Sequence, residues 1–338
     1  MYKVSVLVPV YGVERYIERC ARSLFEQTFK SLEYVFVNDC TPDKSIDVLN
    51  EVLKDYPHRI NSVSVVNQEK NKGLAAARNV GLDNATGDFV VIVDSDDWLE
   101  LNAVELLVNK QIENDADLVS GNRIVHYHSE DGLLYERGYQ SKEEMVLQVM
   151  QRSWDHFITG RLFRRSLFVD NSLRWNDGLD LAEDRYMMTL LAYHAKRYDT
   201  VDHVVYHYER RNIGSITGKS GGKKTLRNNR QELGNMLSLE RFFKDKEAVF
   251  QKECTRCVME QLEFNLQTAL DYSDKDEYYD IVSIIDGRSN ADWKLINWKK
   301  KGIKKWMIQY YNCMKLVWLR NRAIRYVKKR WKKIITRK

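Results

Sequence analysis

The chain has 338 residues, of which 43% are hydrophobic and 11% aromatic, and its formal net charge is +6. This composition supports a packed core in one large domain or two, and three prolines with 16 glycines exclude a fibrous or low-complexity protein. Five scattered cysteines indicate reduced thiols, and the pair formed by Cys254 and Cys257 lacks the second ligand pair of a zinc site.

Strand and helix patterns alternate over the first hundred residues. Strands are predicted at 3–10, 33–37, 62–66 and 89–93, and helices at 14–28, 45–56 and 73–84. This alternation predicts an α/β fold in which helices cover both faces of a mostly parallel sheet.

Polar side chains follow three of these predicted strands directly. Tyr11 follows the first strand, Asn38 and Asp39 follow the second, and Asp94 and Asp96 follow the fourth. Because ligands bind beyond the carboxyl ends of parallel strands, we expect these side chains to form one site. The first strand is followed by no GxGxxG motif, and no GxxxxGK[ST] motif is present, which disfavours a dinucleotide site and a P-loop.

The fourth predicted strand ends in a cluster of carboxylates, Asp94, Asp96 and Asp97. Side chains alternate along an extended chain, so Asp94 and Asp96 are expected on one side and Asp97 on the other. Two carboxylates on one side suit Mg²⁺ or Mn²⁺, particularly an ion shared with substrate phosphates. Alternatively, the aspartates cap a following helix that begins near Leu101.

From residue 223 onward the pattern is helical and predicts a helical layer packed on the α/β domain. Its apolar stripes are formed by Leu233, Met236, Leu237, Leu239, Phe242, Phe243, Val258, Leu262, Phe264 and Leu266.

The last segment, 293–338, carries 17 Lys or Arg and no Asp or Glu, so residues 1–292 carry −11. Tryptophans and aliphatic residues alternate with these cations, as in an amphipathic helix that lies on an anionic membrane. Nucleic-acid binding and docking onto the acidic body or a partner enzyme are the alternatives. No signal peptide or apolar run of about 18 residues is visible, so a cytoplasmic protein is expected.

Four motifs occur in order across residues 3–100: VSVLVPVYGVERYIERCARSL, VNDCTPD, NKGLAAARNVGL and DSDD. Together they resemble the nucleotide-sugar-binding half of family 2 glycosyltransferases, which have the GT-A fold. A weaker similarity continues through AEDRYMMTLLAYHAKR and YHYERRNIGSIT to residue 217. The resemblance implies a catalytic domain over 1–220, with a nucleotide-binding half at 1–100 and an acceptor half at 101–220. A helical region at 221–292 and the basic tail at 293–338 would follow.

The resemblance also implies the donor-binding residues: Pro9, Val10, Tyr11, Asp39, Arg78, Asp94, Ser95 and Asp96. Asp39 would contact a uracil-type base with Arg78 nearby, Asp94 would face the ribose or the metal, and Asp96 would ligate Mn²⁺ or Mg²⁺. The family usually has two adjacent acids after the second strand. Here the first of these two residues is Asn38, which leaves the identity of the nucleotide base open.

An acceptor hydroxyl needs a base, and the resemblance implies Asp184, which follows Glu183 at the start of a predicted helix. Carboxylates in a first helical turn are also ordinary partners of the helix dipole. His207 is a further candidate metal ligand, although a histidine packed among strand aromatics explains it equally well. Trp98, Glu183 and Arg161 are candidate acceptor residues, and Trp98 equally fits an anchor for the next helix.

The resulting prediction is a metal-dependent, inverting glycosyltransferase that uses a nucleotide-sugar, with a UDP-sugar favoured. Its acceptor would be a glycan or a lipid-linked saccharide at the inner face of the cell membrane, and no nucleic-acid partner is expected. A catalytically inactive relative that binds nucleotide-sugar or membrane is the alternative. A nucleotidyltransferase would carry a glycine-rich basic loop after the first strand, which this chain lacks.

Overall fold

The computed structural model describes residues 2–151, 156–212, 214–215, 223–272 and 274–288. The chain divides into two compact units, Met1–Lys219 and Ser220–Lys338. The predicted basic tail at 293–338 lies outside the described residues. The predicted packing of the helical region on the α/β domain stays a prediction, as does the division into domains.

The first half of the first unit alternates strands and helices, as the sequence predicts. Its elements are β1 Val4–Val10, α1 Ile17–Phe25, β2 Leu32–Asn38, α2 Ser45–Lys54, β3 Val63–Asn67, α3 Leu74–Asn84 and β4 Phe89–Ile92, with a 3₁₀ helix at Pro57–Ser62 between α2 and β3. All seven residues of β1 are buried, which explains its continuous apolar sequence. The predicted α/β fold class, a mostly parallel sheet with helices, is confirmed.

The second half of the first unit completes the same sheet. Its elements are β5 Trp98–Leu99, α4 Ala103–Asn114, β6 Leu118–His126, β7 Gly132–Leu134, α5 Lys142–Met150, β8 Leu162–Arg164, α6 Arg165–Asp170, α7 Glu183–His194 and β9 Tyr198–Glu209. The strand order is β3-β2-β1-β4-β8-β6-β9-β5, and β7 pairs with β6. The strands β3, β2, β1 and β4 are mutually parallel, whereas β8 is antiparallel to both β4 and β6.

The sheet register brings the ends of the parallel strands to one edge. Val10 is the partner of Asn38, Asn38 is the partner of Asn67, and Leu7 pairs with Ile92 on β4. The segments that follow β1, β2 and β4 therefore begin side by side, which places Tyr11, Asp39 and Asp94 at the same edge.

The core of this unit lies between the sheet and its helices. On α1, the residues Ile17, Cys20, Ala21, Leu24 and Phe25 are buried, and their spacing of three and four residues forms one face of a helix. Each fully buried aliphatic or aromatic side chain contributes about 1.5–3 kcal/mol to folding. This packing fixes the strands whose ends carry the polar site.

The second unit consists, within its described residues, of the helices α8 Lys223–Phe243, α9 Ala248–Tyr272 and α10 Lys275–Asp286. Leu233, Met236, Leu239 and Phe243 are buried, as are Val258, Leu262 and Leu266. The prediction that Phe264 faces inward is wrong: its side chain is 55% exposed, because position 264 falls between the buried positions 262 and 266 of α9. Among the described helices, none combines the length and the apolarity that a membrane crossing requires.

Candidate active site

Asp39 is buried where β2 ends and is held by the segment that follows β3. Its Oδ1 accepts hydrogen bonds from Gln68 Nε2 at 2.8 Å and from the Lys72 backbone N–H at 2.7 Å, and its Oδ2 accepts one from Gly73 N–H at 2.9 Å. Burial raises the pKa of Asp39, although the hydrogen bonds from the backbone N–H groups of Lys72 and Gly73 lower it. The charge of Asp180 raises this pKa further. These contacts fix the carboxylate at the predicted donor edge.

The predicted base-pocket residues of β1 lie beside Asp39. The Asp39 backbone N–H donates to the Val10 carbonyl at 3.1 Å, which joins the ends of β1 and β2. Pro9 and Val10 are buried, and Tyr11 is 49% exposed at the end of the strand. Their contact with a nucleotide base stays a prediction.

Asn38 joins the ends of two strands. Its Nδ2 donates to Asn67 Oδ1 at 2.8 Å, and its Oδ1 accepts the Thr41 backbone N–H at 2.9 Å. A carboxylate at this position has no hydrogen to donate to Asn67. The Asn38 side chain thus links β2 to β3 and to the turn at Thr41, at the position where the resemblance implies an acid.

The three aspartates after β4 have different surroundings, because residues 94–97 form a turn in which the Asp97 backbone N–H donates to the Asp94 carbonyl at 3.0 Å. The chain is therefore not extended at these residues, contrary to the prediction from alternating side chains, although burial separates Asp94 and Asp96 from Asp97. Asp94 and Asp96 are half-buried, whereas Ser95 and Asp97 are buried.

Asp97 anchors the turn inside the protein. Its carboxylate accepts hydrogen bonds from Tyr206 Oη at 2.5 Å and from the Glu209 backbone N–H at 2.7 Å. Burial, with the charges of Asp96 and Asp94, raises the pKa of Asp97. Asp97 is thus a structural residue of the site.

The alternative that these aspartates cap the next helix is not what the structure shows. The helix α4 begins at Ala103, and it is preceded by Asn102, whose side chain makes no capping hydrogen bond. The side chain that caps the first turn of α4 is Gln27, whose Oε1 accepts the Val104 N–H at 3.1 Å.

Asp96 lies where the segment after β9 returns to the site. Its Oδ2 accepts a hydrogen bond from Asn212 Nδ2 at 2.8 Å, and its backbone carbonyl accepts one from Arg19 Nη2 at 2.9 Å. Burial raises the pKa of Asp96 to about 6, with a contribution from the Asp94 charge.

Arg78 connects the two halves of the predicted site. Its side chain is fully buried, and its Nη2 donates to Asp94 Oδ1 at 3.0 Å. Its Nη1 lies 3.1 Å from Glu183 Oε1 and 2.6 Å from Asp184 Oδ1. Burial alone would lower the pKa of Arg78, but the carboxylates outweigh this and raise it, so the guanidinium is charged. The predicted place of Arg78 near the nucleotide base stays a prediction.

Glu183 and Asp184 open α7, directly after Ala182, which has the left-handed φ of 57°. Burial, followed by the neighbouring Asp184 charge, raises the pKa of Glu183, although Arg78 opposes the shift. The Asp184 side chain is less buried, with 17% of its surface exposed. The role of Asp184 as the base that meets an acceptor hydroxyl stays a prediction.

His207 and Trp98 are packed against each other on neighbouring strands. The indole stacks on His207 at 4.7 Å and on His126 at 4.5 Å between ring centroids, and Arg19 Cζ lies 3.6 Å from the Trp98 ring centre. Both His207 ring nitrogens have partners, Glu100 Oε1 at 2.7 Å and His126 Nε2 at 3.0 Å. These contacts favour the packed alternative, and a metal-ligating role for His207 stays a prediction, as does an acceptor contact for Trp98.

Arg161 is fully buried beside a carboxylate. Its Nη2 lies 2.8 Å from Glu136 Oε1, and Arg123 shares the same carboxylate oxygen at 3.3 Å. In this conformation the Arg161 side chain is enclosed, so an acceptor contact by Arg161 stays a prediction without structural support.

Three residues of the site were missed by sequence reasoning: Arg19, Asp180 and Asn212. Arg19 and Asn212 contact the Asp96 residue, and Asp180 Oδ1 accepts the Ala75 N–H at 2.9 Å. Each lies far in sequence from its partner, so no local motif indicates the contact. The proximity of Asp180 to the predicted base Asp184 was the one available signal.

The carboxylates present fit a divalent cation that takes part of its ligand shell from a bound substrate. Asp94 and Asp96 each use one carboxylate oxygen in the side-chain contacts given above, with Arg78 and Asn212. Among the described residues, no group of three or more His, Cys, Asp or Glu side chains surrounds a common point. Mg²⁺ is commonly held by one or two carboxylates together with substrate phosphates and water, which is what this pair of residues offers.

The chain is similar to known glycosyltransferases. Residues 5–171 match the sequence family described as glycosyl transferase family 2. Glycosyltransferase GlyA of Streptococcus pneumoniae serotype 4 is 35% identical over 202 residues, which are 55% of this chain and 27% of GlyA. Glycosyltransferase GlyG of the same organism is 30% identical over 226 residues, 63% of this chain and 72% of GlyG. The chain thus spans only about a quarter of the length of GlyA.

The fold is similar to that of S. aureus TarS residues 1–349, whose crystal structure contains UDP-GlcNAc. The TM-score is 0.64 at 21% sequence identity, and the match covers 91% of this chain and 87% of that chain. At this identity the likeness establishes the fold alone.

Proposed function

Because the chain belongs to glycosyltransferase family 2, we propose that it transfers a sugar from a nucleotide-sugar donor to a glycan or lipid-linked saccharide, with inversion at the anomeric carbon. The observation that carries this proposal is the Arg78 cluster. One buried guanidinium holds Asp94, from the end of β4, together with Glu183 and Asp184, from the start of α7.

The proposed donor site is the edge formed by the ends of β1, β2 and β4. Pro9, Val10 and Tyr11 line one side of it, and Asp39 is fixed beside them by the backbone of 72–73. Ser95 is the buried residue between Asp94 and Asp96 and completes the proposed donor set. A UDP-sugar is the favoured donor, because TarS, which shares the fold, has been crystallised with UDP-GlcNAc.

The proposed chemistry is a single displacement. Asp184 accepts the proton of the acceptor hydroxyl as that oxygen bonds to the anomeric carbon, and the bond from this carbon to the diphosphate oxygen breaks. Arg78 orients Asp184 through the 2.6 Å contact between Nη1 and Oδ1. Burial raises the pKa of the neighbouring Glu183, and Asp184 is the carboxylate proposed to act as the base.

Asp94 and Asp96 are the residues proposed to hold Mg²⁺ or Mn²⁺, an ion that stabilises the negative charge of a leaving nucleoside diphosphate when it is bound with the donor. Asp94 is held by Arg78, and Asp96 is held by Asn212. Both side chains are thus oriented before the donor arrives, which limits the reorganisation needed during the reaction.

The test of this function is a panel of UDP-, GDP- and ADP-sugars incubated with the full chain and Mn²⁺ or Mg²⁺, scored by nucleotide release. At least one donor should give metal-dependent release that chelation with EDTA removes. Release from none of the donors, or release unaffected by EDTA and by Asp96→Asn, would contradict the proposed metal-dependent transfer.

We further propose that the segment 293–338 holds the protein on an anionic membrane surface at the cytoplasmic face. What supports this is its sequence alone, with 17 cations, no acids and interleaved tryptophans. A lipid-linked acceptor would then be presented at the same surface as the catalytic domain. No nucleic-acid partner is proposed.

A further inference from the structure

The turn that precedes α3 is held by two carboxylates from distant parts of the chain. Asp39, after β2, accepts the backbone N–H groups of Lys72 and Gly73 at 2.7 and 2.9 Å. Asp180, in the segment before α7, accepts the Ala75 N–H at 2.9 Å through its Oδ1. One side of the turn thus contacts the proposed donor site, and the other contacts the segment that leads to Asp184.

Gly73 lets the Asp180 carboxylate approach this closely. The residue has φ +93° and ψ 170°, a backbone conformation that side-chain-bearing residues rarely adopt. A Cβ at this position would overlap Asp180 Oδ2 and lie 2.8 Å from the Asp180 Cγ. The carboxylate therefore packs directly on the glycine, and its position is fixed by shape as well as by the hydrogen bond.

The helix α3 also contacts the segment before α7 at a second point. Asn79 Nδ2 donates to the Trp175 carbonyl at 2.9 Å and to Asp177 Oδ1 at 3.0 Å, while Asn79 Oδ1 accepts the Trp175 N–H at 3.0 Å. Ala75 and Asn79 are four residues apart and lie on one face of α3. Segment 175–180 is therefore attached to this helix at both of its ends.

Arg78 adds a third attachment on the same helix, through Glu183 and Asp184. Between this attachment and Asp180 lies Ala182, whose left-handed φ of 57° is an uncommon conformation for a residue other than glycine. A non-glycine residue keeps such a conformation only where its surroundings impose it. The hydrogen bond between Asp180 and Ala75 lies on one side of Ala182 in the chain, and the ion pairs with Arg78 lie on the other.

We propose that Asp180 is a positioning residue for the transfer reaction: by holding the first turn of α3, it fixes the backbone that places Asp184 beside Arg78. This inference rests on the proposed function, in which Asp184 is the base. Asp180 itself does not touch the substrate in this account. A displacement of the base by about 1 Å is enough to cost about 100-fold in rate, so a residue four positions away can control kcat.

The variants that test this proposal differ in whether position 180 still offers a hydrogen-bond acceptor to the Ala75 N–H. Asp180→Ala removes the acceptor and the packing on Gly73, whereas Asp180→Asn keeps one acceptor oxygen. Asp83→Asn is the matched control, because Asp83 lies on the same helix in an exposed ion pair with Arg174 at 2.8 Å. Asp184→Asn is measured in parallel.

The full chain carrying each substitution is compared with the nucleotide-sugar that gives the fastest nucleotide release in the presence of Mn²⁺ or Mg²⁺. We measure kcat for release at saturating concentration of this donor, its dissociation constant and the thermal unfolding of each variant. We expect Asp180→Ala to lower kcat about 10- to 100-fold with donor affinity within about threefold of wild type. Asp180→Asn should lie between Asp180→Ala and wild type, and Asp83→Asn should match wild type.

The outcomes separate the two proposals. If Asp184→Asn is inactive but Asp180→Ala keeps wild-type kcat, the positioning role is rejected and the proposed function stands. If donor affinity falls by the same factor as kcat in both Asp180 variants, Asp180 maintains the structure of the whole site and the positioning role is again rejected. If Asp184→Asn turns over normally, the proposed function fails and the role of Asp180 fails with it.

Discussion

At the scale of single residues, Arg78 determines how the candidate site is assembled. Its two terminal nitrogens face different segments, with Asp94 on one and the Glu183 and Asp184 pair on the other. Guanidinium is suited to this arrangement because it is planar and presents several N–H donors in fixed directions. An ammonium group offers one compact charge, which cannot reproduce both contacts at once.

Arg78→Lys keeps the positive charge at this position but removes the planar guanidinium that makes both contacts. We expect kcat to fall at least about 100-fold and the free energy of unfolding to fall by about 2–4 kcal/mol, because a buried carboxylate loses its partner. Kinetic assays and chemical denaturation measure the two effects. Arg174→Lys is the control, since the Arg174 ion pair with Asp83 is exposed and should change stability by less than about 0.5 kcal/mol. Wild-type kcat in Arg78→Lys would show that the two contacts of the Arg78 guanidinium are not needed for transfer.

At the scale of elements, Glu33 ties β2 to the chain segment that enters β4. Its carboxylate accepts hydrogen bonds from Ser5 Oγ at 2.5 Å and from the backbone N–H groups of Thr86 and Gly87 at 2.6 and 3.1 Å. Lys3 Nζ lies 2.5 Å from its Oε2. Burial opposes ionisation of Glu33, but these donors outweigh it and lower its pKa to about 2.

This pKa predicts how stability changes with pH. Because the pKa of Glu33 is lower in the folded chain than its unfolded value of about 4.3, its stabilising effect is complete above that pH and is lost as the pH falls towards 2. Glu33→Gln should lower the free energy of unfolding by about 2 kcal/mol at pH 7, and by progressively less below pH 4. Denaturation curves from pH 7 to pH 2.5 measure this difference.

The control for Glu33 is Glu51→Gln, which removes an ion pair with Lys54 whose two side chains are 70% and 68% exposed. Exposed pairs of this kind contribute at most about 1 kcal/mol. A Glu33→Gln variant that is as stable as Glu51→Gln at every pH would show that the Glu33 hydrogen bonds do not stabilise the folded chain.

At the scale of the whole molecule, the chain combines an α/β unit with a separate helical unit and a basic last segment. Deletion of 293–338 should abolish cosedimentation with vesicles rich in phosphatidylglycerol, because the cations and tryptophans proposed to hold the surface are gone. Donor-dependent nucleotide release in solution should be retained. Unchanged binding to these vesicles after the deletion would reject the membrane proposal, and binding to neutral vesicles is the control for charge.

Local patterns in the sequence predict much of this fold and part of the site. Apolar runs and helical spacing place β1 to β4 and α1 to α3 within a few residues, because these signals depend on neighbouring positions. The aspartates after β4 are found for the same reason. The family resemblance indicates Asp184 as the candidate base, and the position of this side chain within the structure depends on contacts that no local pattern contains.

The parts that sequence reasoning missed depend on residues far apart in the chain. Arg78 meets Asp184 across 106 positions, and Asp180 meets Ala75 across 105. The insertion of β8 between β4 and β6, antiparallel to both, is likewise fixed by tertiary pairing. His207 shows the reverse case: a residue type suited to metals, whose two ring nitrogens bond to Glu100 and His126.

We propose Asp184 as the base of an inverting transfer whose donor binds at the ends of β1, β2 and β4. The most direct test is Asp184→Asn in the full chain, using the nucleotide-sugar that gives the fastest release with Mn²⁺ or Mg²⁺. We expect the variant to bind this donor with wild-type affinity in calorimetry, while the transfer rate falls by about 100- to 10,000-fold. A variant that binds the donor and still transfers sugar at a rate close to wild type would contradict it.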